Sequence, residues 1–501
     1  MMTETSRDLG QSLSYADGAV SLAEIISALT FALDLTEGAV LGHALRSCLL
    51  GMRLAEAMGI PEDARVGLYH ALQLKDVGCS SNAARMTQLA GGDDRAMKAA
   101  AKLYDWGALQ VPKARTVKAL WRNVLPKKST TRRLIRLARM AMGQSRNNKM
   151  MVQLRCERGA EILRMLEMEE PAIQAVRALD EHWDGSGYPL GLRREEIPVT
   201  ARICLVAQHL DVFAMEDGTE AAIALVRKRG GKWFDPEVVT VATRLHRNGR
   251  LWQDCRADDD VEQTRRAVLA LDPGSRAELV PERVDRICEA FAAVVDAKSP
   301  FTYRHSTNVA DVAVEIALEM QLPEERLQLV RRAGLLHDVG KLSVPNTILD
   351  KPGRLTDAER EVMALHPGMT RSILARVSAF RELAVVAAEH HERLDGSGYP
   401  MGLRAEQMTL ESRLIALADN YTAMAEERPY RVGMPREEIF AMLRAEVPGK
   451  LDARCFAALE RAAERWSASL PASTRSLWTT DVCEPRWEWT ATARQSARRA
   501  A

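Results

Sequence analysis

The chain has 501 residues, more than a single hydrophobic core usually spans, and its 47% hydrophobic and 27% charged residues are the balance of a soluble globular protein. Aromatics are scarce at 5% while Ala, Leu and Arg abound, which favours helices over strands and an all-α fold. A formal charge of +1 gives no global field for nucleic acid or membrane, no apolar run approaches the ~20 residues of a membrane span, and the start "MMTETSRDLGQSLSYADG" lacks a signal-peptide pattern.

The first distinctive stretch is "MGIPEDARVGLYHALQLKDVG" at 58–78, which has a second version, "MQLPEERLQLVRRAGLLHDVG", at 320–340. Next comes a basic segment: from Lys98 to Met150 fourteen Lys or Arg face one acid, Asp105. Within it "KKSTTRRLIRLARMAM" predicts an amphipathic helix with Leu134, Ile135, Leu137 and Ala138 on one side. Such a helix suits nucleic acid, an anionic membrane surface or an acidic partner. The reading favoured here is a solvated hairpin packed back on an acidic face of the same chain, because the whole molecule is nearly neutral. Tyr104, Trp106 and Trp121 are too few for a base-stacking surface.

Further along, "DGSGYPLGLR" (184–193) returns as "DGSGYPMGLR" (395–404), one change in ten. The later pair is separated by 211 residues and the earlier pair by 262, so the first copy carries an insertion of about 51 residues between 80 and 154. The pattern predicts two tandem all-α domains, 20–247 and 281–466, joined by a charged linker at 248–280. A loosely ordered tail follows at 467–501. In the second copy "STNVADVAVEIALEMQL" repeats apolar residues at three- and four-residue steps, and "LPEERLQLVRRAGLLHDVG" begins after Pro323 with acids in its first turn.

After residue 300 there are five histidines: His305, His337, His366, His390 and His391. His305 continues the apolar stripe of Val309, and His337 continues that of Val330 and Gly334, with Asp338 about 100° further round the helix. His390 and His391 close the run "ELAVVAAEHH", and Asp419 follows Ile415 by one turn. Any one of these alone reads as a hydrogen-bonded core residue. Together, five imidazoles and two carboxylates aimed inward are costly to bury unless cations satisfy them. Eight cysteines are scattered without a C-x-x-C pair, which argues against a zinc knuckle and for a reducing, cytoplasmic setting. Nitrogen and oxygen ligands without thiolate favour iron, manganese or another divalent ion over a structural zinc. Two cations sharing a carboxylate and a hydroxide would form a phosphoester-cleaving device.

The ordered set "HD" (337–338), Lys341, His366 and "HHERLDGSGYP" (390–400) resembles the HD-GYP branch of the HD phosphohydrolases, over about Val284 to Arg431. That resemblance implies hydrolysis of cyclic di-GMP, to pGpG, GMP or both, at a metal centre in a helical domain. It implies His305, His337, Asp338, His366, His390, His391 and Asp419 as metal ligands, with Asp338 bridging and catalytic. It further implies Lys341 as the phosphate contact and Arg428 and Arg431 as substrate grips. The loop Asp395, Gly396, Gly398, Tyr399, Pro400 is a turn device and a partner-contact surface in that family. Where three-metal members have a glutamate, this chain has Phe301, which implies two metals. In the first copy the matching residues are His43, Lys75, Asp76, Cys79, Arg155, Leu179, Asp180 and Gln208, so that copy is expected to be metal-free and inert. Another cyclic dinucleotide or nucleotide as substrate, or a signalling scaffold that docks a cyclase or other regulator through the first copy or the insertion, stays open, as does a homodimer.

Overall fold

The computed structural model describes residues 21–102, 121–126, 129–142, 144–256, 259–272, 279–302, 304–426 and 433–469. Among them every regular element is helical, with only two isolated bridges, Gly230 with Phe234 and Asp395 with Arg404. The all-α expectation holds. No described helix is long and apolar enough to cross a membrane.

The same local solutions recur in the two halves. Helices Glu62–Leu74 and Glu324–Leu336 each follow a proline and carry two acids in their first turn, where the helix dipole favours negative charge. Helices His43–Ala57 and His305–Glu319 each open on the histidine, after a residue in the left-handed region (Gly42, φ 86°; Arg304, φ 59°). A buried carboxylate braces each opening. Asp34 accepts from the backbone N–H of Gly42 and Ala44 at 2.8 and 3.3 Å, and Asp296 from the N–H and hydroxyl of Ser306 at 3.5 and 2.8 Å. Burial pushes both carboxyls up to about 7. After the next helix the chain crosses its neighbour at a glycine. A Cβ on Gly78 would lie 2.0 Å from the Arg155 carbonyl and 2.7 Å from Gly159 N; on Gly340 the partners are the His366 carbonyl and Thr370 N, at the same two distances.

One continuous apolar core runs from Ile25 to Ala463 through both halves. The first helix of each half reaches across to the other. Leu22–Glu37 packs on the turn Val339–Ser343 and the helix His366–Leu374, and Pro281–Asp296 packs on Cys79–Asn82 and Gln144–Met165. The crossings are pinned by Ser378, which donates to Glu24 through its N–H and hydroxyl (3.1 and 2.6 Å), and by the Arg286–Glu167 pair (3.0 Å).

Two segments differ from the sequence reading. Residues 248–280 hold a helix, Val261–Ala270, capped by Asp260 and with Val268 fully buried. Its Arg265 donates to Ser27 Oγ at 3.0 Å and to the Arg376 carbonyl at 3.0 Å, so this charged side chain ties the halves together. In the insertion, the helix Thr130–Met142 buries Leu137 and Met140 against Ala90, Met97 and Val124, while Leu134 and Ile135 are 55% and 49% exposed. The three-residue step from 137 to 140 sets the packed face. The basic side chains Arg133 and Arg136 donate to the Leu125 and Gln88 carbonyls at 3.1 and 3.2 Å. Tyr104, Trp106, Arg428, Arg431 and the tail beyond Ser469 lie outside the described residues.

Candidate metal centre

Helix Glu324–Leu336 ends at Leu336, and His337, still with helical dihedrals (φ −54°, ψ −35°), and Asp338 form the turn at its C-terminus. The last carbonyls of a helix lack intrahelical partners, and here the imidazole supplies one. His337 Nδ1 donates to the Gly334 carbonyl at 2.7 Å. His390, beyond Arg381–Ala388, does the same to Ala387, and His366 to Met363 near the end of Asp357–Ala364, both at 2.7 Å. A carbonyl only accepts, so each Nδ1 carries the proton and each Nε2 turns a lone pair inward. Thr370 Oγ1 then ties the layers together, donating to the His337 carbonyl at 2.8 Å and accepting from Gly340 N at 3.0 Å.

These side chains converge on Asp338. Its Oδ2 is 3.6 Å from His305 Nε2 and 3.2 Å from His337 Nε2, and its Oδ1 is 3.3 Å from His366 Nε2 and 3.7 Å from His390 Nε2. Asp419 stands opposite, 3.2 Å from His305 Nε2, 3.8 Å from His337 Nε2 and 3.8 Å from His391 Nδ1. Three sets of donor atoms, on His305/His337/Asp338, His337/His390/Asp419 and His366/His390/His391, each lie within 4.8 Å of one another. All seven residues expected as ligands are therefore brought together.

The electrostatics keep His390 and His391 in the ligating form. Burial, with His391 and His337 nearby, pushes His390 well down, and burial takes His391 down to about 3 against the pull of Asp419. Both stay neutral, the ligating form. Burial opposes charge on Asp338 and Asp419, yet the surrounding imidazoles, joined at Asp338 by Lys341, hold both well below the carboxylate range. Burial disfavours charge on His305 too, but Glu426 and Asp419 lift it to about 10. His305 Nε2, His337 Nε2 and Asp338 Oδ1 are buried without hydrogen-bond partners. His366 Nε2 and His390 Nε2 face each other at 3.1 Å, lone pair to lone pair, which a shared cation would relieve. Unpartnered donors of this kind, without a thiolate, fit divalent ions.

Two supporting acids were missed from sequence. Glu426 accepts from His305 Nδ1 at 2.8 Å and from Asn308 Nδ2 at 2.9 Å. Its signal was available, since it lies seven residues after Asp419 on the same helical face. Asp296 carried no such signal. Lys341 Nζ pairs directly with Asp338 at the partly exposed edge of the cluster.

The Gly-Tyr-Pro loop is a staple. Asp395 accepts from the N–H and hydroxyl of Ser397 at 2.9 and 2.6 Å, and Gly396 takes φ 80°. A Cβ on Gly398 would sit 2.4 Å from Glu392 Cα and Arg393 N. The Tyr399 ring lies 4.8 Å from the His391 ring, tilted 33°, and the Tyr399–Pro400 peptide is cis. Glu392, which the motif reading passed over, accepts from Met401 and Leu403 N–H at 2.7 and 2.9 Å. Glu181 does the same for Leu190, Gly191 and Leu192 at 2.5, 3.1 and 3.0 Å, next to a cis Tyr188–Pro189. The loop keeps its shape where the paired histidines are absent.

The corresponding place in the first half is filled by cations of the chain itself. Lys75 is fully buried and paired with Asp76, Arg155 pairs with Asp180, and Lys98 lies 3.4 Å from Glu37. His43 Nδ1 binds Asp211 at 2.6 Å, with Nε2 4.0 Å from Asp76. Glu37, Asp76 and Cys79 have donor atoms within 4.8 Å of one another, but the Lys75 and Lys98 ammonium groups already engage those carboxylates.

A family model described as HD domain matches residues 141–238 and 289–455. The chain is 37% identical over 451 residues to 3'3'-cGAMP-specific phosphodiesterase 3 of Vibrio cholerae, covering 90% of this chain and 96% of that protein. A cyclic di-GMP phosphodiesterase of Pseudomonas aeruginosa is 37% identical over 199 residues, 38% of this chain and 48% of that protein. A crystal structure of a cyclic GMP-AMP specific phosphodiesterase of V. cholerae matches with a TM-score of 0.60 and 33% identity, covering 91% of this chain and all of that one.

Proposed function

Because this chain belongs to the HD domain family, among the HD-GYP phosphodiesterases, we propose that its C-terminal half, 281–466, hydrolyses a 3',3'-cyclic dinucleotide at a two-metal centre. The observation that carries this is Asp338, with one oxygen facing His305 and His337 and the other facing His366 and His390. Asp419 and His391 complete the set, and Phe301 withholds a carboxylate for a third ion. Iron or manganese suits these donors. Divalent ions bound there supply an acidified water and neutralise charge on the phosphate.

The chain's own residues do the rest. The Nδ1 bonds to Gly334, Met363 and Ala387 fix the imidazole planes, and Glu426 orients His305. Lys341, as a compact cation at the edge of the cluster, leaves Asp338 for a non-bridging phosphate oxygen and offsets the charge that grows there. Arg428 and Arg431 are proposed to grip the incoming nucleotide. The first half, 20–247, is read as a degenerate, metal-free copy, since Lys75 and Arg155 stand where cations would bind.

Cyclic di-GMP is the substrate that the sequence motifs suggest. A relative that spans both halves is named for 3'3'-cGAMP, which puts the mixed dinucleotide ahead of it here. Turnover of both compounds by anaerobically purified protein, with elemental analysis of the same sample, tests the reading. About two metals per chain and faster cleavage of 3'3'-cGAMP are expected. Turnover of neither compound in metal-loaded protein sinks the assignment.

A further inference from the structure

The turn that carries Lys341 is held by side chains of both halves. The Ser343 carbonyl accepts from the Arg95 guanidinium at 2.5 Å, and the Leu342 carbonyl from Lys298 Nζ at 2.5 Å and Thr36 Oγ1 at 3.4 Å. Three residues on, Asn346 N donates to Asp94 Oδ1 at 3.0 Å. Thr36 belongs to the first helix of the N-terminal half, and Asp94 and Arg95 to its insertion.

Arg95 is set in place before it reaches the turn. Asp93 accepts from its backbone N–H, Nε and Nη2 at 2.9, 3.3 and 3.0 Å. Behind it Gly38, at φ 60°, leaves room for the Arg95 backbone: a Cβ there would lie 2.8 Å from the Arg95 carbonyl oxygen. The Asp94 carboxylate is fully buried and lies 3.6 Å from Lys98, which also reaches Glu37. The segment is thus a rigid wedge between the end of Leu22–Glu37 and the turn Val339–Ser343.

We propose that Arg95, backed by Asp94, is a positioning residue for the phosphodiester reaction, clamping this turn so that Lys341 Nζ is held beside Asp338. The inference rests on the reading of Lys341 as the phosphate contact. A short 3₁₀ turn has poor internal hydrogen bonds, and the two carbonyls that follow Lys341 are gripped by side chains, Ser343 by Arg95 of the other half and Leu342 by Lys298 of its own half together with Thr36. The Arg95 guanidinium is cationic, which makes its bond to the Ser343 carbonyl strong. Lys341 has a long flexible stem, so the placement of its backbone limits where the ammonium falls. The insertion, otherwise without a role, becomes part of the catalytic support.

The test is a double-mutant cycle on the full-length, metal-loaded protein, with kcat and KM measured for 3'3'-cGAMP and cyclic di-GMP. Arg95→Ala is expected to lower kcat roughly tenfold to a hundredfold, with KM, metal content and thermal midpoint near the parent's, and Arg95→Lys to recover part of the loss. In a Lys341→Met background Arg95→Ala is expected to cost nothing further, because the group it positions is gone. Losses that multiply in the double mutant, or unchanged kcat in Arg95→Ala, overturn the clamp. Parent-like kcat in Lys341→Met alone overturns the phosphate role of Lys341 and the clamp with it, a result separable from the other two.

Discussion

Asp76 and Asp338 occupy matching places, each just past a helix that begins after a proline and each two residues before a glycine that packs on a later helix. Around Asp338 stand four imidazoles whose Nε2 atoms face its two oxygens; against Asp76 stands the buried Lys75 side chain. A buried carboxylate must be balanced in either case, because an isolated charge is expensive to desolvate. One half balances it with a side chain of its own. The other sets Lys341 against it at the partly exposed edge and is proposed to complete the balance with divalent cations. The backbone needed for both is the same, so a few side chains separate a proposed metal centre from a closed salt bridge.

The sharpest way to break this comparison is to remove both carboxylates in turn. Asp338→Ala is expected to abolish turnover, on the order of a thousandfold or more given the several kcal/mol a metal centre contributes. Metal content should fall from about two per chain to almost none by elemental analysis. Asp76→Ala should leave metal content and kcat near the parent's but cost about 3–5 kcal/mol in chemical denaturation, because Lys75 is left buried and unpaired. Catalytic loss in both variants would erase the distinction.

Next in size are the acids behind the two leading histidines. Glu426→Gln is expected to weaken metal affinity or turnover about 10–100-fold, measured by metal titration. Asp211→Asn, behind His43, should leave both unchanged. The loop glycines come last. Gly398→Ala and Gly187→Ala each force a Cβ into backbone, 2.4 Å from Glu392 Cα and 2.2 Å from His182 N respectively. Each is expected to lower stability by about 1–3 kcal/mol in denaturant titration, but only Gly398→Ala should also reduce turnover, because Tyr399 packs on His391.

Much of the site was legible because its residues break a pattern. His305, His337, His390 and Asp419 are polar residues inside apolar stripes, and the duplicated loop motif without the paired histidines singles out His390 and His391. Glu392 and Glu181 were in plain view beside the loop, yet nothing about a glutamate in a motif announces that it will collect backbone N–H groups. Asp296 was illegible, since its partner Ser306 lies across a loop. The expectation of a charged linker over 248–280 did not anticipate the helix Val261–Ala270, whose Arg265 bridges the halves.

By itself the sequence determined the helical class, the duplicated motifs and the identity of the inward-facing imidazoles and carboxylates, because periodicity and residue type are written directly in it. Only the tertiary structure decided which imidazole nitrogen faces the cluster, how Asp338 divides its two oxygens, and that Arg95 of one half grips the lysine turn of the other. The reason is that those choices are made by backbone carbonyls, which every residue carries and no pattern marks, and by contacts between segments hundreds of residues apart.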